Sequence, residues 1–312
     1  MSSQLARNDP YQLVTDSILA HLEKGVVPWR CPWNRSTGRP RNFHTGRTYQ
    51  GVNVLLLGLL HFSSPWWMTF RQVQERGGRV RKGEHGANVM KWGSYERKSQ
   101  EGEGTEEKKA RFFLKSYRVF NATQIEEIEF PTVEHGAQLD PTQRIARAEQ
   151  IVAQMANAPK IKEGRTTQAS YRPRTDTIQM PAFARFDSPE DYHLTLFHEL
   201  VHSTGHESRL ARKGVMERPG FAGKTYSQEE LIAEMGAAFL GMEAEIVRDQ
   251  HEKSAAYLKA WLDALQEPEH RRWIVLAGNQ AGLAVDHILG RKANDTPVQD
   301  EVPEQSSLPA AA

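Results

Sequence analysis

Between Tyr192 and Thr204 the chain carries neither proline nor glycine, and within that run lies His198-Glu199-Leu200-Val201-His202. Leu194, Leu196, Phe197, Leu200 and Val201 supply apolar faces, so the run is predicted to be a helix. Residues four apart on a helix lie on one face, and both imidazoles can therefore reach one metal ion. Glu199 sits beside them, where a carboxylate can hold and deprotonate a metal-bound water. Zinc lowers the pKa of such a water to about 7, which brings proton transfer to a glutamate within reach at neutral pH. These are the parts of a metallopeptidase site. Histidines at this spacing also occur on ordinary helix surfaces, so a third ligand decides the matter.

A second helix is predicted from Ser227 to Val247. Ser227 is a good N-cap, and Glu230 three residues on completes a capping box. Leu231, Met235, Ala238, Phe239 and Met242 form its core face, and Glu230 and Glu234 share a flank of it. An acidic pair there is costly to bury unless something cationic lies opposite; a metal with its histidines would serve. The alternative is that Glu230 only caps and Glu234 is solvated. The arrangement resembles the gluzincin side of the zincin metallopeptidases, whose downstream helix carries E-x-x-x-D. The matching residues are Glu230-Leu231-Ile232-Ala233-Glu234, with Glu in place of the final Asp. The resemblance implies that Glu230 joins His198 and His202 on the metal, with water as fourth ligand, and that Glu234 orients a ligating histidine from behind. Glu229 stays a rival third ligand, because sequence does not set the helix phase to one residue. Gly205 is expected to end the first helix and turn His206 off its face. The metzincin histidine six positions after His202 is absent, since residue 208 is Ser.

Composition narrows the setting. The 312 residues carry a net charge of +1 and a single cysteine, Cys31, so no intramolecular disulfide can form; that suits a reducing cytoplasm. The first residues lack the apolar stretch of a secretory signal. The longest apolar run, Val52 to Leu60, is interrupted by Asn53 and Gly58 and is too short to span a bilayer. A cytoplasmic protein without a membrane partner is expected, not a secreted digestive protease. Residues 97–110 are polar and predicted to be a mobile loop between strands. Residues 130–141 are the best domain boundary. The expected organisation is a domain over 1–130, a second over 141–290 and a disordered tail over 291–312.

The first half is basic and aromatic. Arg35, Arg39, Arg41, Arg47, Arg71, Arg76, Arg79, Arg81 and Lys82 are interleaved with Trp29, Trp33, Tyr49, Trp66, Trp67 and Trp92. Cations bind phosphates, and aromatic faces stack on unpaired bases at about 1–3 kcal/mol each, so single-stranded DNA is the expected partner. Tyr49, Lys82 and Trp92 are the candidate contacts. The competing reading is that the tryptophans fill a small core and the arginines are solvated. Helices are expected at Pro10 to Lys24, Asn53 to Leu60 and Thr69 to Arg76, with Thr69 as N-cap. Strands follow at Ala87 to Trp92 and Arg111 to Val119. The fold class is α+β: a small mixed domain with a mainly antiparallel sheet, then a mainly helical, zincin-like domain.

The whole pattern resembles the ArdC-type antirestriction proteins of conjugative plasmids. The resemblance is carried by Val27-Pro28-Trp29, Pro40-Arg41-Asn42, Thr48-Tyr49-Gln50-Gly51-Val52-Asn53, Trp67-Met68-Thr69-Phe70, Val80 to Gly86 and Tyr117 to Asn121, then by Phe197 to His206 and Glu229 to Leu240. It covers roughly residues 8 to 290. It implies an N-terminal single-stranded DNA-binding domain, a C-terminal metallopeptidase domain and protection of incoming plasmid DNA from restriction during conjugation. One divalent ion is the implied cofactor, zinc first and manganese second. A DNA-associated host protein is the substrate class if the chain is an enzyme. The alternative class is a non-enzymatic protein that coats single-stranded DNA and uses its metal only for stability. Asp176 to Pro181 is expected to be a strand, either an edge that pairs with extended substrate or an ordinary core strand.

Overall fold

A computed structural model of the protein describes residues 9–30, 38–95, 111–131, 139–216, 228–246 and 255–291. The expected loop over 97–110, the tail after residue 291 and the cap at Ser227 lie outside the described residues.

Helix α1 (Pro10–Glu23) starts at Asp9, whose side chain accepts from the Tyr11 N–H, with Pro10 in the first turn. A four-stranded sheet follows, in the order β1 (Arg41–Asn42), β2 (Trp66–Thr69), β5 (Arg111–Asn121), β4 (Ala87–Tyr95). All its pairings are antiparallel except β1 with β2. Helix α2 (Val52–Gly58) lies between β1 and β2 in the chain, and α3 (Phe70–Glu75) follows β2 directly. Thr69 caps α3 through a reciprocal box with Gln72, as its position before an apolar turn suggests. A small ribbon pairs β3 (Arg79–Val80) with β6 (Ile125–Glu126). Strand β2 was not expected from sequence: its four residues owe their conformation to the pairing of Trp67 with Asn121 and Met68 with Phe120, far along the chain.

The second half opens with α4 (Pro141–Ala153), capped by Asp140. A three-stranded sheet follows, in the order β7 (Lys160–Gly164), β9 (Thr177–Pro181), β8 (Ser170–Arg172). Strand β9 is therefore the central one, parallel to β7 and antiparallel to β8, with Ile178 and Met180 fully buried. The segment considered as a substrate-pairing edge is a core strand, and β7 and β8 hold the edges. Helices α5 (Pro189–Ser203), α6 (Lys213–Met216), α7 (Gln228–Ala244), α8 (Ala255–Gln266) and α9 (Trp273–Ile288) complete the fold. Helix α7 is buried almost all round, with Leu231, Ile232, Ala233, Met235, Phe239 and Leu240 all inside, because α5 and α9 both pack along it.

Two small apolar clusters belong to the first sheet, one around Leu57, Trp67, Val89 and Val119 and one around Met68, Val73 and Ile125. The main core runs through both halves: Val14, Ile18, Leu22 and Trp29 join Trp261, Leu265, Val275 and Val285. Helix α1 packs on α8 and α9, and the Trp29 ring meets Trp261 edge-on at 5.2 Å. Trp29 and Trp67 are thus core residues, as the competing sequence reading held. Among the described residues no helix is long and apolar enough to cross a membrane.

Candidate metal centre and nucleic-acid face

Helix α5 is set by Ser188, which caps the Asp191 N–H, and by Pro189 with Glu190 and Asp191 in the first turn, where acidic groups complement the helix dipole. It meets α7 closely because residue 236 is glycine: a Cβ there would come within 2.6 Å of a Val201 methyl. That approach carries the first turn of α7 to the histidine face of α5.

His198 Nε2 and His202 Nε2 lie 3.1 Å apart. The Glu230 carboxylate reaches both, Oε2 at 3.5 Å from His198 Nε2 and Oε1 at 3.4 Å from His202 Nε2. Ligands about 2.0–2.2 Å from a tetrahedral zinc are themselves roughly 3.3 Å from one another. Two imidazole nitrogens and a carboxylate at these separations therefore fit around one divalent cation. Among the described residues these are the His, Cys, Asp or Glu side chains gathered closely enough to do so, with all donor atoms within 4.8 Å. Glu199, between the two histidines on α5, is 7% exposed.

Glu229 does something different from its neighbour. Its Oε1 lies 3.3 Å from His202 Nδ1, the ring nitrogen facing away from the cluster. Arg212 grips the same carboxylate, donating from Nε to Oε2 at 3.1 Å and from Nη2 to Oε1 at 2.7 Å. The guanidinium also donates to Thr204 Oγ1 and to the Val201 carbonyl. A carboxylate on Nδ1 holds a proton there, which leaves the Nε2 lone pair to face an ion in the cluster. The sequence reading gave that part to Glu234. The structure sets Glu234 about one turn, some 6 Å, beyond Glu230 along α7, where Arg30 Nη2 donates to it at 3.0 Å and the Tyr257 hydroxyl at 3.1 Å. The signal that would have found the Glu229 role is the Glu229-Glu230 doublet, which points two acids in different directions, together with the arginine at 212.

Burial opposes a charge on His202, but hydrogen bonds to Glu229 and Glu230 and the charges of Glu230 and Glu199 outweigh it, so in the metal-free protein its pKa is pushed up to about 10. Burial would raise the Glu230 carboxyl, yet His198 and His202 hold it well below the usual carboxylate range. For Glu229 burial is likewise outweighed, by His202 and Arg212. His206 stands off the site, its Nδ1 accepting from the Ser208 N–H at 3.2 Å. Gly205 follows the helix for reasons of space, since a Cβ would meet Val215 at 2.4 Å.

In the first half, several motif residues build the scaffold. Gly51 adopts φ +57° and its backbone lies against Gly278 of α9, where a Cβ on residue 278 would come 2.7 Å from the Val52 nitrogen. Asn53 accepts from the Met90 N–H at 2.7 Å and donates to the Met90 carbonyl at 2.8 Å. Asn121 caps the next turn and donates to the Ser64 carbonyl. Of the three candidate contacts, Tyr49 and Trp92 both line a cleft beside β4, whereas Lys82 stands exposed on the turn after β3. Many neighbouring arginines have acidic partners: Arg71 with Glu75, Arg79 with Glu126 and Glu127, Arg81 with Glu84.

Residues 8–120 match the family described as the N-terminal domain of anti-restriction factor ArdC, and residues 146–280 match the zincin-like metallopeptidase family. DNA primase TraC of Escherichia coli is 32% identical over 96% of this chain, which spans only 29% of the length of that relative. The protein y4eC of Sinorhizobium fredii is 32% identical, with 92% of this chain and 93% of that one covered. The crystal structure of the antirestriction protein ArdC from plasmid R388, metal-free, superposes with a TM-score of 0.70 at 37% identity, covering 92% of this chain and 98% of that one. A Mn(II)-bound structure of the same protein gives 0.69 at 36% identity. Coverage of both halves at this identity, on the fold described above, places the chain in the ArdC antirestriction family, with its zincin-like domain at the C-terminal end.

Proposed function

We propose that the protein is a divalent-metal-dependent peptidase carried on a single-stranded DNA-binding module, and that it protects incoming plasmid DNA from restriction in the recipient cytoplasm. The observation that carries this is the convergence of His198, His202 and Glu230 beside Glu199. Three protein donors leave a coordination position open, whereas purely structural zinc sites are closed by four. A divalent ion held there supplies a Lewis acid for attack of water on a peptide carbonyl. The donor set of two imidazoles and a carboxylate suits zinc, and the Mn(II)-bound relative makes manganese the second candidate.

The rest is done by the chain. Glu230 and the Nε2 atoms of His198 and His202 hold the ion, while Glu229 and Arg212 fix the His202 ring. Glu199 takes a proton from the attacking water and returns it to the leaving amine nitrogen, a role worth about 10²- to 10⁴-fold in rate. The basic, aromatic first half holds the strand through phosphates and unpaired bases. Joining both modules in one chain raises the effective concentration of a protein met on DNA, which is the substrate class this arrangement suits.

Glu199→Gln tests the reading. The variant is expected to bind metal and single-stranded DNA as the parent does, to lose cleavage of DNA-bound proteins by at least about 100-fold, and to lose protection in a transfer assay into a restricting host. Full protection by Glu199→Gln would show that catalysis is dispensable and leave a protein that coats DNA.

A further inference from the structure

Strand β4 is an edge of its sheet, and along it, between the sheet and α9, runs a cleft of about 260 Å3. Val52, Val89 and Val119 contribute apolar surface, and Tyr49, Trp92 and Tyr117 contribute half-buried aromatic rings. Two of these rings are held in place: the Tyr49 hydroxyl lies 3.4 Å from Asn42 Nδ2, and Tyr11 packs edge-on to Trp92 at 6.2 Å. Helix α9 forms the opposite wall with Asn279 and with Leu283, which is 43% exposed. Arg47 and Lys91 put two positive charges on the lining against the single carboxylate of Asp286.

The volume falls just below the ~300 Å3 at which pockets for drug-sized ligands begin, a size that suits one flat heterocycle. Aromatic faces for stacking, amide side chains for base edges and cations for the flanking phosphates are the three components of single-strand recognition. An extended peptide adding to β4 fits less well. Asn53 already takes both the N–H and the carbonyl of Met90, the backbone groups such a strand would need.

We propose that this cleft holds one unpaired base of a DNA strand, stacked among Tyr49, Trp92 and Tyr117 and closed from the other side by α9. The inference rests on the single-strand reading above and adds to it that the C-terminal half supplies a wall of the DNA site. Bound DNA then touches α9, which packs along α7, the helix that carries Glu229 and Glu230.

The test uses the full chain and a labelled oligo-dT, with 2-aminopurine at one internal position as a stacking probe. Leu283→Glu and Asn279→Trp change exposed positions on α9, and a thermal melt checks that each folds like the parent. Both are expected to weaken oligonucleotide binding by at least about fivefold, the loss of one stacked base, and to remove the quenching of 2-aminopurine. Parent-like binding and quenching in both folded variants would overturn the cleft assignment while leaving single-strand binding intact. Absence of oligonucleotide binding by the parent would overturn the underlying reading itself. In a parallel arm, dAMP is expected to compete only weakly; dAMP binding as tightly as the oligonucleotide would make this a free-nucleotide site and overturn the strand assignment. If a variant fails the melt, Leu283→Gln and Asn279→Leu, milder changes at the same exposed sites, are held to the same outcomes.

Discussion

The metal end and the first sheet both bury polar side chains, but of opposite kinds. At the metal cluster the buried groups are ionisable: His202 is 3% exposed, Glu229 5% and Arg212 7%, and each is held by another. In the first sheet they are neutral amides, Asn42, Asn121 and Gln124, which bond backbone groups and the side chains of Gln72 and Glu84. Buried charges must be paired or they cost several kcal/mol, whereas a lost amide leaves only unmet hydrogen bonds. Changes behind the metal cluster are therefore expected to cost more than changes at the exposed surface of the first sheet.

Arg212→Met attacks that contrast where the effect is largest. It removes both guanidinium bonds from the buried Glu229 carboxylate and leaves the one to His202; it is expected to cost about 3–5 kcal/mol in a urea melt, and to weaken metal binding about 10- to 100-fold through the loosened His202 ring. Adding Glu229→Leu should restore much of the stability, since an apolar pair replaces a buried ion pair, but not the affinity. Stability and affinity recovering together would mean that the pair does not position His202.

The pH response comes next in size. In the metal-free protein His202 is charged up to about pH 10, so its contribution to stability is complete below its ordinary value of 6.5 and is lost as pH climbs through about 10. Metal uptake runs the other way, because a ligating imidazole must be neutral. Affinity is expected to fall about tenfold for each pH unit below 10, read by competition with a chromophoric chelator. A flat profile between pH 6 and 8 would mean that His202 gives up no proton when the ion binds.

Legibility divides along the same line. His198, Glu199 and His202 sit within one helix, so local spacing alone places them. Choosing among Glu229, Glu230 and Glu234 depends on how α7 is rotated against α5, a tertiary fact set in part by Gly236 meeting Val201. Pairing of the remote strand β5 makes Trp66–Thr69 a strand, and flanking by β7 and β8 makes Thr177–Pro181 a centre and not an edge. In the first half the segments that marked the family are largely scaffold, Gly51, Asn53, Thr69 and Asn121 among them, so they identified the fold more surely than the contacts.

The first sheet supplies the smaller effects. Asn121→Ala removes a cap and the bond to Ser64, and is expected to cost about 1–3 kcal/mol with metal affinity unchanged. Lys82→Glu, on the exposed turn, should move stability by less than about 0.5 kcal/mol while lowering single-strand affinity and the salt slope by about one phosphate contact. If Lys82→Glu unfolds the protein, or leaves both binding and its salt dependence unchanged, the division between scaffold and surface fails on this half.

The central claim is that, of the acids on α7, Glu230 takes the metal. Isothermal titration with Zn(II) or Mn(II) of the parent, Glu230→Ala and Glu234→Ala measures it directly. The parent is expected to bind one ion per chain. Glu230→Ala should lose more than the ~100-fold that removal of an outer partner costs, and Glu234→Ala, which breaks the contacts to Arg30 and Tyr257, should keep the ion at near-parent affinity. A Glu230→Ala protein that retains the ion while Glu234→Ala releases it would contradict the account.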